Sequence, residues 1–218
     1  MKKILTLVIA LVAVNLSNAQ DAKFAKAMEK NIALIDSANT QSSVSLFQDA
    51  YNGFERIANA NPKEWLPLYY QSFCEIMMGM KQDNNVKKDE YFDKADALIS
   101  KADDIKPDNS EIYVMKSFVT SMKISVDPQT RGQQLGMKSG MLLGKAIQLD
   151  PENPRAYFLK GQGLLYTPPA FGGGKDKAIP VLETAVEKFA KFKPANNIMP
   201  NWGEARCKAA LAECKKAE

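Results

Sequence analysis

The sequence predicts an all-α fold, a solenoid of antiparallel helical hairpins with about nine helices and a C-terminal capping helix. Three observations carry this expectation. Apolar residues recur at helical spacing along the chain, and the alternation of β-branched residues that marks strands is absent. The helix-breaking prolines Pro62, Pro107, Pro151 and Pro194 also fall 45, 44 and 43 residues apart. A chain of 218 residues, 45% hydrophobic and 25% charged, can bury a core of useful size and is not a disordered polymer.

The elements follow in order. Lys2 and Lys3 precede an apolar run from Ile4 to Val14 and a small-x-small end, Ser17-Asn18-Ala19. About 11 apolar residues are too few to span a bilayer, which takes about 20, so 1–19 reads as a secretory signal cut before Gln20. The remaining 20–218 forms one helical repeat domain, expected to be exported to the periplasm, with no later stretch long enough to cross a membrane. Phe24, Met28, Ile32 and Ile35 make the first stripe, and Phe47 and Phe54 of the next helix are its natural partners. Helices are then expected over 43–58, 65–80, 91–105, 111–124, 137–149, 155–166, 175–192 and 202–216. They pair as hairpins over about 21–60, 63–105, 109–149 and 153–192, with a cap over about 201–216. The breaks are proline and asparagine clusters such as Lys106-Pro107-Asp108-Asn109 and Asp150-Pro151-Glu152-Asn153-Pro154.

Composition excludes several chemistries. The chain has no histidine, which removes Ser-His-Asp and Cys-His catalysis, histidine metal sites and histidine pH switches. With 29 basic against 25 acidic residues, nothing calls for nucleic acid as a partner. Cys207 and Cys214 stand seven apart on one helix, about 10 Å of rise, too far for a disulfide. With Cys74 they read as buried thiols. Phe171-Gly172-Gly173-Gly174-Lys175 lacks the Ser or Thr of a phosphate loop and is followed by Asp176, so it reads as a wide turn. Asp89-Glu90 and Asp103-Asp104 point about 100° apart on a helix and form no acid–base pair. No catalytic residue, cofactor or metal ligand is indicated, and the chain reads as a non-enzyme.

Small residues recur ten positions after the first three spaced prolines, at Ser72, Ser117 and Gly161. Tyr113 with Ser117, Tyr157 with Gly161, Ala50 with Phe54, Ala95 with Ile99 and Ala178 with Leu182 repeat at a spacing of four. With the junction from Ala146 to Tyr157, this pattern resembles the tetratricopeptide repeat (TPR) family over roughly residues 43 to 190. The period departs from the family's 34, and the surplus lies mainly between the two helices of each hairpin, either as longer connections or as longer helices.

The resemblance implies a concave groove lined by the first helix of each hairpin. Carried across, it gives Leu66, Tyr69, Phe73, Ile76 and Met77, then Glu111, Val114, Phe118, Ser121 and Met122, then Arg155, Phe158, Gln162, Leu165 and Tyr166. The candidate site is Tyr69, Phe73, Met77, Phe118, Met122, Arg155, Phe158, Gln162 and Tyr166, an aromatic and methionine-rich row that is either covered by the N-terminal helix or open to a ligand, the open groove being favoured, with Arg155 to meet an anionic end. Trp202 is expected to plug the open end of the stack. The function implied is a protein- or peptide-binding scaffold of the cell envelope. The alternative is a periplasmic binder of a small apolar ligand associated with solute transport.

Overall fold

In a computed structural model of the chain, residues 2–216 are described, with side chains from Asp21 onward. The expected secretory signal, 1–19, lies outside the residues whose side chains are described. The described residues form helices and no strand: α1 (Lys2–Gln41), α2 (Val44–Ala60), α3 (Leu66–Gly79), α4 (Asn85–Ile105), α5 (Ser110–Val126), α6 (Pro128–Leu149), α7 (Pro154–Tyr166), α8 (Lys175–Lys191) and α9 (Glu204–Lys215). None of them is long and apolar enough, among the described residues, to cross a membrane.

Local chemistry sets these boundaries. Ser43, Asn84, Asn109, Asp127 and Asn153 each cap a helix by accepting a hydrogen bond from a backbone N–H of its first turn. Consecutive helices pack as antiparallel hairpins, and each hairpin packs on the next. Of the N-terminal stripe, Met28 and Ile35 are buried in one core with Phe47 and Phe54 of α2, and Phe24 and Ile32 pack against it half-buried.

The hairpins cross at small residues. Ser72 Oγ donates to the Ala95 carbonyl at 2.9 Å, and Ser117 Oγ lies 2.8 Å from Ser139 Oγ. A Cβ added to Gly161 would sit 2.7 Å from the Leu182 side chain. These are the three positions that repeat in the sequence.

The long period resides chiefly in long second helices. α4 has 21 residues and α6 has 22, against 14 in α3 and 17 in α5. Both start earlier than the apolar periodicity indicates, at Asn85 instead of 91 and at Pro128 instead of 137. The extra turns carry few buried residues, so no stripe betrays them. In the third hairpin the surplus is the 167–174 turn. There Gly172 and Gly174 take positive φ, and the Gly174 N–H donates to the Leu164 carbonyl at 2.9 Å. The loop's backbone N–H groups are spent on its own turn, so it is no phosphate cradle.

Candidate functional site

Parallel first helices α3, α5 and α7 line one face, so their N-terminal and C-terminal turns form two ends of one groove. The N-terminal half is full. The irregular segment after α8 runs back across it and inserts Trp202, whose indole stacks on Phe118 (centroids 5.7 Å apart) and tilts against Phe73 (5.5 Å). Tyr70 donates to the Ile198 carbonyl at 2.9 Å, and Gly203, at φ 109°, lies where an added Cβ would be 3.5 Å from Phe158. Tyr69, Phe73, Phe118 and Phe158 are all buried. The cover is therefore the chain's own C-terminal strap, 192–203. It is neither the N-terminal helix nor an external ligand, and the open groove expected from the sequence holds for only half its length. Trp202 likewise sits within the groove and not at the end of the stack, where α9 packs on α8.

A polar relay ties the strap down. Trp202 Nε1 donates to the Tyr69 hydroxyl at 2.8 Å, and that hydroxyl donates to Glu111 Oε2 at 3.3 Å. Glu111 also accepts from Asn153 Nδ2 at 2.8 Å and from Arg155 through Nη2 (2.6 Å) and Nε (2.9 Å). Arg155 is 1% exposed. Burial works against its charge, but the Glu111 carboxylate more than offsets this and holds its pKa above the usual guanidinium value. Its other face lies 4.5 Å from the Phe192 ring centroid. Arg155 is thus a structural pair with Glu111, which corrects the expectation that it waits for an anionic ligand. A cleft of about 390 Å³ beside it, lined by Asn109, Phe192, Pro194 and Met199, offers only this paired arginine as a buried cation.

The C-terminal half of the groove is different. On α7 and at the C-cap of α3 the chain becomes exposed, while α3 itself stays buried to its last residue, Gly79. On α7 exposure climbs from Phe158, 2% exposed, through half-buried Gln162 and Leu165 to Tyr166 at 78%. On α5, Phe118 gives way to half-buried Met122, and beyond buried Met77 the α3 end exposes Met80. Of the nine candidate residues, then, Met122, Gln162 and Tyr166 line an accessible surface. Met77 is roofed by Arg206 of α9, whose Nη1 and Nη2 stand 3.9 and 4.0 Å from its sulfur. Ile76 and Val114 are core. Sequence reasoning missed Arg206 and Met80, since both lie outside the first-helix scheme.

No group of three His, Cys, Asp or Glu side chains among the described residues could hold a metal ion. Cys74, Cys207 and Cys214 are free and buried, and burial raises the thiol pKa of Cys74 and lifts that of Cys207 to about 11, so neither is a ready nucleophile.

Comparison with known proteins adds the context. No family model matches the chain. The solved structure of the HusA haemophore from Porphyromonas gingivalis is 35% identical and superposes with a TM-score of 0.78, covering 88% of this chain and 92% of that one. A thermophilic TPR protein of Thermus thermophilus, 15% identical with a TM-score of 0.54 over 94% of both chains, shares the fold. Mitochondrial import receptor subunit TOM70 of Mus musculus is 30% identical over 167 residues, 75% of this chain. The chain spans 23% of that relative's length.

Proposed function

The chain belongs to the family of the HusA haemophore, and from that premise we propose that it is a non-catalytic binding protein of the cell envelope whose cargo is a planar, largely apolar tetrapyrrole of the haem type. The observation that carries the reading is the half-open groove. Its filled half is sealed by Trp202, and its other half presents Met122, Gln162, Leu165 and an almost fully exposed Tyr166. A flat aromatic molecule suits such a surface. Tyrosine offers a ring face for stacking, and unbranched methionines adapt to the edges. With no histidine in the chain, the cargo would be gripped by packing and not by an imidazole on iron. The N-terminal signal pattern supports export, where such a carrier would meet its cargo.

A polypeptide partner is the reading that a TPR-like repeat invites, and the strap weighs against it. An extended peptide needs the length of the groove, and the chain's own segment already occupies half. Fluorescence titration with metal-free protoporphyrin IX tests the proposal. The wild type should bind it, and Tyr166→Ala should weaken binding about tenfold, roughly 1.4 kcal/mol, without lowering the melting temperature. Failure to bind any porphyrin, with a polypeptide retained on gentle release from the native source, would return the function to a protein scaffold.

A further inference from the structure

Arg206, an exposed residue, differs from the buried and partly buried cations of the fold. Lys116 pairs with Asp103, Lys123 with Asp93 and Asp96, Arg131 with Asp89, and Arg155 with Glu111. Arg206 projects from the first turn of α9, one turn after Trp202, and its guanidinium rests on the Met77 thioether. A thioether is a weak, uncharged acceptor and leaves most of a guanidinium's five donors unused. The acidic residues of its own helix are engaged elsewhere, Glu204 with Lys208 and Glu213 with Lys216. Partial desolvation lowers the Arg206 pKa, and no carboxylate among the described residues pairs with it. Its donors are therefore open to an outside anion, which would make charge-assisted contacts with them. Its position matters as much as its charge. Trp202 lies against Phe73 and Phe118, and Arg206, four residues on, rests on Met77, four residues on from Phe73, at the level that Met122 takes along α5 from Phe118.

We infer that Arg206 recognises an anionic edge of the ligand, so that the site takes a flat apolar molecule bearing carboxylates, with its ring towards Met122 and Tyr166. This rests on the tetrapyrrole reading above. Guanidinium and carboxylate would form a charge-assisted, bidentate contact at the inner end of the groove, and the apolar ring would cover the outer end.

The test compares two metal-free probes on the purified protein, protoporphyrin IX and its dimethyl ester, which keeps the ring but loses both charges. Arg206→Gln should weaken protoporphyrin IX binding about tenfold and leave the ester's affinity unchanged, and Arg206→Lys should recover part of the loss. The wild type's preference for the acid over the ester should shrink as salt is raised. Equal weakening of both probes by Arg206→Gln would mark a structural role and overturn the inference, as would no change for either. If the wild type binds neither probe, the tetrapyrrole reading itself falls. If it binds both alike and the variant matches it, that reading survives and the role of Arg206 does not.

Discussion

Glu75 shows what a single buried group does to this fold. It sits on α3, 4% exposed, and its Oε2 has no hydrogen-bond partner, nor has Nε2 of Gln71 one turn earlier. Burial pushes the Glu75 carboxyl up to about 7 from an ordinary value of 4.5, and Lys94 opposes the rise only in part. Because the folded-state value lies above the unfolded one, the folded protein holds a proton that the unfolded chain releases between those two values. The stability Glu75 contributes is therefore complete below about pH 4.5 and is lost as pH climbs through about 7. Allowing for solvent screening, the loss should be about 1–2 kcal/mol. Thermal melts from pH 5 to 8 should show a falling melting temperature in the wild type and a flatter profile in Glu75→Gln. Parallel profiles would remove Glu75 as the cause.

Glycine plays opposite parts on different helices. At Gly161 the crossing helix is in contact, so Gly161→Leu should overpack the α7–α8 hairpin and cost about 1–3 kcal/mol. On α6, Gly132, Gly136, Gly140 and Gly144 have nothing within 4 Å of an added Cβ. Gly140→Ala should accordingly stabilise the helix by about 0.5–1 kcal/mol. Denaturant melts of the two variants should move in opposite directions, and movement in the same direction would mean that the helix register is misjudged. The contrast also explains what the sequence could tell. Gly161 is legible because it repeats Ser72 and Ser117, all three imposed by close helix crossings. The early turns of α4 and α6 are not, since exposed Val86 on α4 and the unburied residues 128–136 of α6 answer to no core and leave no period behind. The strap is illegible for a related reason. Residues 193–201 have no helical spacing, Trp202 reads as the start of the last helix, and only contact with α3 and α5 gives it its place. A repeat scheme also assumes that whatever fills the groove comes from outside, which is why Arg155 reads as a ligand contact and its partner Glu111 is passed over.

At the scale of the whole molecule, the strap divides one groove into a core and a site. Trp202 is the plug that keeps Phe73 and Phe118 dry. Trp202→Ala should lower stability by about 2–4 kcal/mol and raise binding of a hydrophobic dye, because the aromatic row would be uncovered. Unchanged dye binding would mean that the strap does not depend on Trp202. The groove that remains ends in methionines, which makes it directly observable. With methionine methyl groups labelled, NMR spectra of the full protein can be recorded with and without metal-free protoporphyrin IX, whose ring current shifts nearby methyls. Shifts are expected at Met77, Met80 and Met122 while buried Met28, beneath α2, stays still. Shifts confined to Met137 and Met141 on the exposed side of α6, or none anywhere, would contradict a binding site in the open half of the groove.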